Sequence, residues 1–259
     1  MFLKLLITVY FLVMAFLYII VYGSIVLLIS VFISMTKGKE RSKEFVYNEI
    51  AKFGRRAFTW MFSRVTIQGS ENFQKSESYL VVANHQSLMD IPLVLGYLKP
   101  MPLVAKKELA KVPGINWFVK YMGGVFLDRK KTSEGAAVLR DIMKKLKEGR
   151  SFLIFPEGTR SEDGSVKKFK TAVFKIAKKT NIRILPVSIW GTIFLVPKKS
   201  LVLNPGPAFV KIHSPIDPQN YPDEKALAEA VWKIVEDGVR KLKEVNRNAE
   251  SLDKSTRFR

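Results

Sequence analysis

Cysteine is absent from the 259-residue chain. Disulfides, thiolate nucleophiles and cysteine-bound metals are therefore excluded. Histidine is nearly absent: His85 and His213 are the only two. They lie far apart without ligand-like spacing, so no metal site is expected. No Gly-x-Ser-x-Gly sequence offers an elbow for a nucleophilic serine. Acidic residues are few, 23 against 43 lysines and arginines, a net charge of +20. That balance favours an anionic partner: a lipid surface, a phosphorylated substrate, an acidic carrier protein or nucleic acid. No nucleic-acid motif or regular aromatic platform is present, so nucleic acid is not expected. Internal repeats and low-complexity linkers are also missing.

Charge is missing altogether from Leu5 through Met35. That run exceeds the roughly 20 residues that span a bilayer, and it is too long for a signal-peptide core. The basic cluster Lys37, Lys39, Arg41, Lys43, Arg55, Arg56 and Arg64 follows at once. The positive-inside rule puts that end, and the domain after it, on the cytoplasmic face of the cell membrane. Gly23-Ser24 is a place for a break, so spanning, tilted and re-entrant insertion are all compatible with the run. Residues 42–64 carry Phe45, Val46, Ile50, Phe53, Ala57, Trp60 and Met61 at helical spacing among basic residues. This suits an amphipathic helix in the membrane interface, or an ordinary helix packed on the domain. Residues 1–64 are therefore read as a membrane-anchoring unit, hydrophobic over 1–36 and amphipathic over 42–64.

Beyond residue 65 apolar runs occur at Tyr79–Ala83, Leu103–Ala105, Gly124–Leu127, Phe152–Phe155 and Ile184–Trp190. Helical patterns lie between them, clearest at Gly135–Glu148 and Phe169–Lys179. Strands alternating with helices predict an α/β domain over 65–247, with a largely parallel sheet flanked by helices. Ala208–His213 is expected as an edge strand, Asp223–Val245 as an amphipathic helix, and 248–259 as a polar tail.

Asn84-His85-Gln86-Ser87-Leu88-Met89-Asp90 directly follows the first of these runs. A neutral imidazole can take a proton from a hydroxyl; a carboxylate on its far nitrogen fixes the tautomer and stabilises the resulting cation. Positions i and i+5 sit roughly 140° apart on a helix, so His85 and Asp90 meet only if the chain turns between them. The plain alternative is that Asp90 caps a helix ahead of Pro92 and His85 is a loop residue. Without a protein nucleophile, the pair would activate a hydroxyl of a substrate.

Two more motifs follow strands. Gly124–Leu127 leads into Asp128-Arg129, and Phe152–Phe155 leads into Pro156-Glu157-Gly158-Thr159-Arg160. In a parallel sheet these would converge on one edge, where open α/β sheets bind ligands. Arg129 and Arg160 suit a phosphate through their fixed donor forks. Gly158 allows close backbone approach, Thr159 supplies a hydroxyl, and Glu157 can orient an arginine or accept from a substrate hydroxyl. Lys106 is a further candidate cation; Lys167, Lys168 and Lys170 read as a solvated rim.

In this order, Asn84-His85-x4-Asp90, Gly124-Val-Phe-Leu-Asp-Arg129 and Phe155-Pro-Glu-Gly-Thr-Arg160 resemble the first three motifs of the glycerolipid acyltransferases. The chain most resembles the bacterial 1-acyl-sn-glycerol-3-phosphate acyltransferases, and Ile184-Leu185-Pro186-Val187 resembles their fourth motif. The resemblance covers roughly residues 65–215. It implies acyl transfer from a thioester of acyl carrier protein or coenzyme A to the sn-2 hydroxyl of lysophosphatidic acid, giving phosphatidic acid. No bound cofactor is implied. His85 would be the general base and Asp90 its orienting partner. Arg160, Arg129 and Lys106 would hold the phosphate in a pocket shaped by Glu157, Gly158 and Thr159. Acceptors such as glycerol 3-phosphate or a lyso-ornithine lipid fit the same motifs. A non-enzymatic, membrane-tethered anion binder is the remoter alternative.

Overall fold

The computed structural model describes residues 2–128, 132–198, 200 and 202–257. The chain opens with α1 (Phe2–Phe16), a π-helical turn (Leu17–Tyr22) and α2 (Gly23–Lys37), which together form one continuous apolar rod. The irregularity expected at Gly23-Ser24 falls one turn earlier, in the π turn; Gly23 itself is helical. Its missing side chain has a packing reason: an added Cβ would stand 3.1 Å from the Phe118 ring. Gly38 then reverses the chain at a φ of +87°, open to glycine without strain. The helix α3 (Lys39–Trp60) runs back along the rod, tied by Ser42 Oγ donating to the Ser30 carbonyl and Tyr22 to Glu49.

The apolar face of α3 was a candidate for the membrane interface. Val46, Ile50, Ala57, Trp60 and Met61 are instead buried within the protein. The closest approach is glycine on glycine. An added Cβ on Gly54 would lie 2.5 Å from the Pro92 carbonyl and 2.7 Å from Gly96. The helix carrying Pro92 and Gly96 is α4 (Asp90–Tyr97). Two positions without side chains thus let α3 seat α4 at a fixed distance.

The strands are β1 (Val65–Gln68), β2 (Leu80–Ala83), β3 (Val104–Lys106), β4 (Val125–Leu127), β5 (Phe152–Ile154), β6 (Ile184–Trp190) and β7 (Ala208–Ile212). A five-stranded sheet has the order β1-β7-β6-β2-β5, and β3 pairs with β4 in a two-stranded sheet. A parallel bridge between Leu103 and Leu153 links the two. The pairs β6-β2, β2-β5 and β3-β4 are parallel. Ala208–Ile212 is not an edge strand as expected. It pairs antiparallel with β6 on one side and parallel with β1 on the other.

Helices α5 (Ile115–Met122), α6 (Thr132–Lys147), α7 (Ala172–Thr180), the short α8 (Thr192–Leu195) and α9 (Glu224–Arg257) complete the fold. The central strands are buried on both faces, which is why they read as unbroken apolar runs. Alternation still sorts their side chains. Val81, Ala83, Leu185 and Val187 pack with Val46, Ile50, Leu93 and Val94 on one face. Leu80, Val82 and Ile184 pack with Ile142, Phe174, Val231 and Val235 on the other. The polar tail expected at 248–259 is not separate from the preceding helix, since α9 continues to Arg257.

Helix α9 closes on β6 at Gly238, where an added Cβ would stand 2.2 Å from Ser188 Oγ. Ser188 Oγ donates to the Val235 carbonyl at 2.8 Å, and His213 Nε2 lies 2.8 Å from Ser188 Oγ. The second histidine is thus part of a helix-to-sheet clasp. Burial, with Lys211 and Lys241 nearby, pushes its pKa down to about 4.

Candidate active site

The loop after β2 turns as the His/Asp spacing requires, and α4 begins at Asp90. His85 Nδ1 lies 2.7 Å from Asp90 Oδ2. The same oxygen accepts the backbone N–H groups of Gln86 (2.6 Å) and Ser87 (2.8 Å). The other oxygen, Oδ1, accepts from Thr192 Oγ1 at 2.5 Å. Asp90 is fully buried. Its charge is met by these donors and by the positive end of α4. With Nδ1 donating to the carboxylate, Nε2 is left as the proton acceptor. It has no hydrogen-bond partner among the described residues.

Three further contacts fix the imidazole. Its ring stacks on Phe155 at a centroid distance of 4.2 Å. The His85 backbone N–H donates to Glu157 Oε1 at 2.7 Å, and its carbonyl accepts from the Ser161 N–H at 2.8 Å. Asn84 locks the preceding residue, exchanging two hydrogen bonds with the Ile189 backbone. Strands β5 and β6 flank β2, so the loops after all three strands meet at His85.

Glu157 was a candidate beside the substrate. Its carboxylate is instead used inside the protein, with Oε2 accepting from the Lys167 N–H at 3.2 Å. It ties the motif after β5 to the motif after β2. Burial pushes its pKa up to about 7, partly opposed by the two N–H donors. Gly158 has a φ of +73°, and an added Cβ would lie 2.9 Å from Lys170 Nζ. Lys170 is exposed, as expected of the solvated rim, with its ammonium lying over Gly158. Thr159 is half-buried beside it. Arg160 is half-buried and makes no ion pair among the described residues; its carbonyl accepts from Lys198. It directly precedes Ser161, whose N–H bonds the His85 carbonyl.

Lys106 is exposed at the end of β3 and pairs with Glu108 at 2.9 Å. Arg129 lies outside the described residues. Thr192 and Phe155 were not foreseen. Thr192 is a hundred residues from Asp90 and carries no local signal, while Phe155 looks like the last residue of a strand. Among the described residues no cluster of His, Asp or Glu could hold a metal ion.

This arrangement can take a proton from a hydroxyl, hold it as an imidazolium beside a buried carboxylate, and return it. A family model described as Acyltransferase matches residues 64–190. The crystal structure of the 1-acyl-sn-glycerophosphate (LPA) acyltransferase PlsC from Thermotoga maritima superposes with a TM-score of 0.86. The two chains are 48% identical, over 93% of this chain and 96% of that one.

The chain belongs to the acyltransferase family.

Other acyltransferases align over shorter stretches. The chloroplastic 1-acyl-sn-glycerol-3-phosphate acyltransferase LPAT1 of Arabidopsis thaliana is 37% identical over 169 residues, 64% of this chain and 48% of that one. The 1-acyl-sn-glycerol-3-phosphate acyltransferase of Saccharomyces cerevisiae is 37% identical over 186 residues, 70% of this chain and 60% of that one. The chain thus spans about half the length of the plant acyltransferase it matches. The family match begins just before β1 and ends with β6, so it contains His85, Asp90 and Glu157–Arg160.

Proposed function

We propose that the protein transfers a fatty acyl group from a thioester to the sn-2 hydroxyl of 1-acyl-glycerol 3-phosphate, forming phosphatidic acid. The observation that carries this reading is the Asp90-held imidazole of His85, with Nε2 unengaged, in a chain without a nucleophilic cysteine or serine elbow. The acceptor is that of the similar 1-acyl-sn-glycerol-3-phosphate acyltransferases.

The steps balance without an acyl-enzyme. The acceptor hydroxyl gives its proton to His85 Nε2 as its oxygen attacks the thioester carbonyl. The tetrahedral intermediate collapses with cleavage of the C–S bond. The proton passes from the imidazolium to the departing thiolate, and a free thiol leaves. Asp90 stabilises the cation between these two transfers. Glu157 acts through the loop, holding the His85 backbone. Arg160, with Arg129 and Lys106, binds the phosphate and so sets the distance from hydroxyl to imidazole.

The bilayer is the proposed source of the acceptor. The rod from Phe2 to Lys37 is long and apolar enough to cross a membrane. Leu3, Leu6, Val13, Leu28, Phe32 and Met35 expose much of their surface along it. Burying that face in lipid removes it from water. The basic flank favours the cytoplasmic face of the cell membrane, where acyl carrier protein and coenzyme A thioesters, both anionic, are at hand.

The test is an acceptor and donor panel in mixed micelles: lysophosphatidic acid, glycerol 3-phosphate and a lyso-ornithine lipid, each with palmitoyl thioesters of both carriers. Turnover is expected with lysophosphatidic acid. A folded protein that acylates only another acceptor would overturn the assignment.

A further inference from the structure

A second basic cleft, of about 440 Å³, lies on the opposite edge of the sheet from His85. It is lined in part by Met101, Pro102 and Ser151, which precede β3 and β5, whereas His85 follows the far end of β2. Four residues of strand, roughly 13 Å, separate the two edges. The cleft is lined by Lys43, Arg55, Lys75, Lys99 and Arg150, with Glu44 the one acidic side chain among its lining residues. Glu44 is drawn to Arg41, 3.3 Å away.

Lys75 is exposed and Lys43 pairs with Glu40 at 3.8 Å, whereas the heads of Lys99, Arg55 and Arg150 are held by the protein. Lys99 Nζ donates to the carbonyls of Lys75 (3.2 Å) and Glu77 (2.9 Å). Arg55 donates to the Gly96 carbonyl at 2.7 Å. Arg150 donates to the Tyr47 hydroxyl at 3.1 Å and to the Met122 carbonyl. Neutral acceptors fix these heads in place and leave their charge uncompensated. None of the three has a carboxylate partner among the described residues. The carboxylate of Glu77 is itself engaged by Arg183 and the Tyr79 hydroxyl. Burial lowers the Lys99 pKa, a sign that its charge is costly there without an anion. Preordered guanidinium and ammonium groups around a small cleft match a phosphate.

The position selects the source of that phosphate. Lys43 stands little more than one turn beyond Gly38, where the apolar rod ends. The exposed apolar side chains of Leu28, Phe32 and Met35 lead directly to that end. With this face in lipid, the cleft faces the headgroup layer. We infer that the cleft is a second anion site that holds the phosphate of an anionic membrane lipid, apart from the site at His85. The inference rests on the membrane reading and not on acyl transfer.

The test measures partition of the full-length protein onto phosphatidylcholine vesicles with and without phosphatidylglycerol. Lys99→Gln and the double variant K43Q/K75Q are compared with K225Q/K233Q, which removes the same charge from α9 on the other face. Circular dichroism checks each fold; Lys43 and Lys75 stand largely outside the packed interior, so that double variant keeps the test open if Lys99→Gln misfolds. Each lost cleft cation is expected to weaken binding to anionic vesicles about fivefold, with neutral vesicles unaffected and the α9 variant nearly unchanged. Equal losses in both double variants would overturn the site in favour of diffuse charge. A thermal shift with inorganic phosphate alone, lost in the cleft variants and without any lipid preference, would overturn the lipid assignment. Wild type that binds neither vesicle would refute the membrane reading and this inference with it, leaving acyl transfer untouched.

Discussion

Replacing Asp90 by asparagine separates the charge of this residue from its structural work. Oδ2 collects three donors, the His85 ring and the N–H groups of Gln86 and Ser87, whereas Oδ1 meets only the Thr192 hydroxyl. An amide oxygen takes the first position. The amide nitrogen then faces Thr192, whose hydroxyl can rotate from donor to acceptor. The loop keeps its hydrogen bonds, and only their charge assistance is lost, so stability should fall by no more than about 2 kcal/mol. The imidazolium loses its counter-charge. A comparable aspartate-to-amide change in a serine-protease triad costs about 10⁴-fold, and a general base in all contributes about 10²–10⁴-fold. Phosphatidic acid formation by Asp90→Asn should therefore fall at least about 100-fold, with little change in the Michaelis constant for lysophosphatidic acid. Asp90→Ala strands two buried N–H groups and should also cost roughly 2–6 kcal/mol of stability. The assay pairs thermal unfolding with initial rates in mixed micelles. A folded Asp90→Asn protein within about threefold of wild-type activity would refute the role given to the carboxylate.

Further outcomes follow from the same geometry. Gly54→Ala places a Cβ 2.5 Å from the Pro92 carbonyl, and backbone cannot give way as a side chain would. It should lose about 1–3 kcal/mol of stability and some activity, because α4 carries Asp90; unchanged unfolding and rates would show that the α3–α4 contact is loose. Arg160→Ala should raise the Michaelis constant for the phospholipid by a factor worth about 1.5–3 kcal/mol; a change confined to thioester saturation would remove its phosphate role. His213 has a folded pKa of about 4, below its unfolded value, so the neutral form is the one the fold favours. Its contribution is present above about pH 6.5 and is lost as pH falls towards 4, on the order of 3 kcal/mol. Unfolding of His213→Asn measured across that window should show a shallower acid limb than wild type, and parallel curves would contradict the assignment.

What the chain disclosed in advance follows a physical divide. The turn between His85 and Asp90 was legible because five residues cannot bring two side chains together on a helix. The central strands were legible because burial on both faces leaves an unbroken apolar run. Residues that act through space were not. Thr192 reaches Asp90 only after β6 is laid beside β2, and the capture of His85 by Glu157 needs β5 on the other side. The interior place of β7 was hidden because its outer neighbour, Val65–Gln68, is short and only partly buried. The face of α3 was ambiguous for a different reason: lipid and protein core select the same periodicity. Packing against Gly96 is what decides it, and no pattern within α3 encodes its partner.

The central claim is that the Nε2 atom of His85 carries the proton from acceptor to thiolate. Single-turnover formation of phosphatidic acid by purified His85→Ala, with the fold checked by unfolding, tests it most directly. The account predicts that the rate drops at least about 10²–10⁴-fold while lysophosphatidic acid still binds. A folded His85→Ala protein that turns over near the wild-type rate would contradict it.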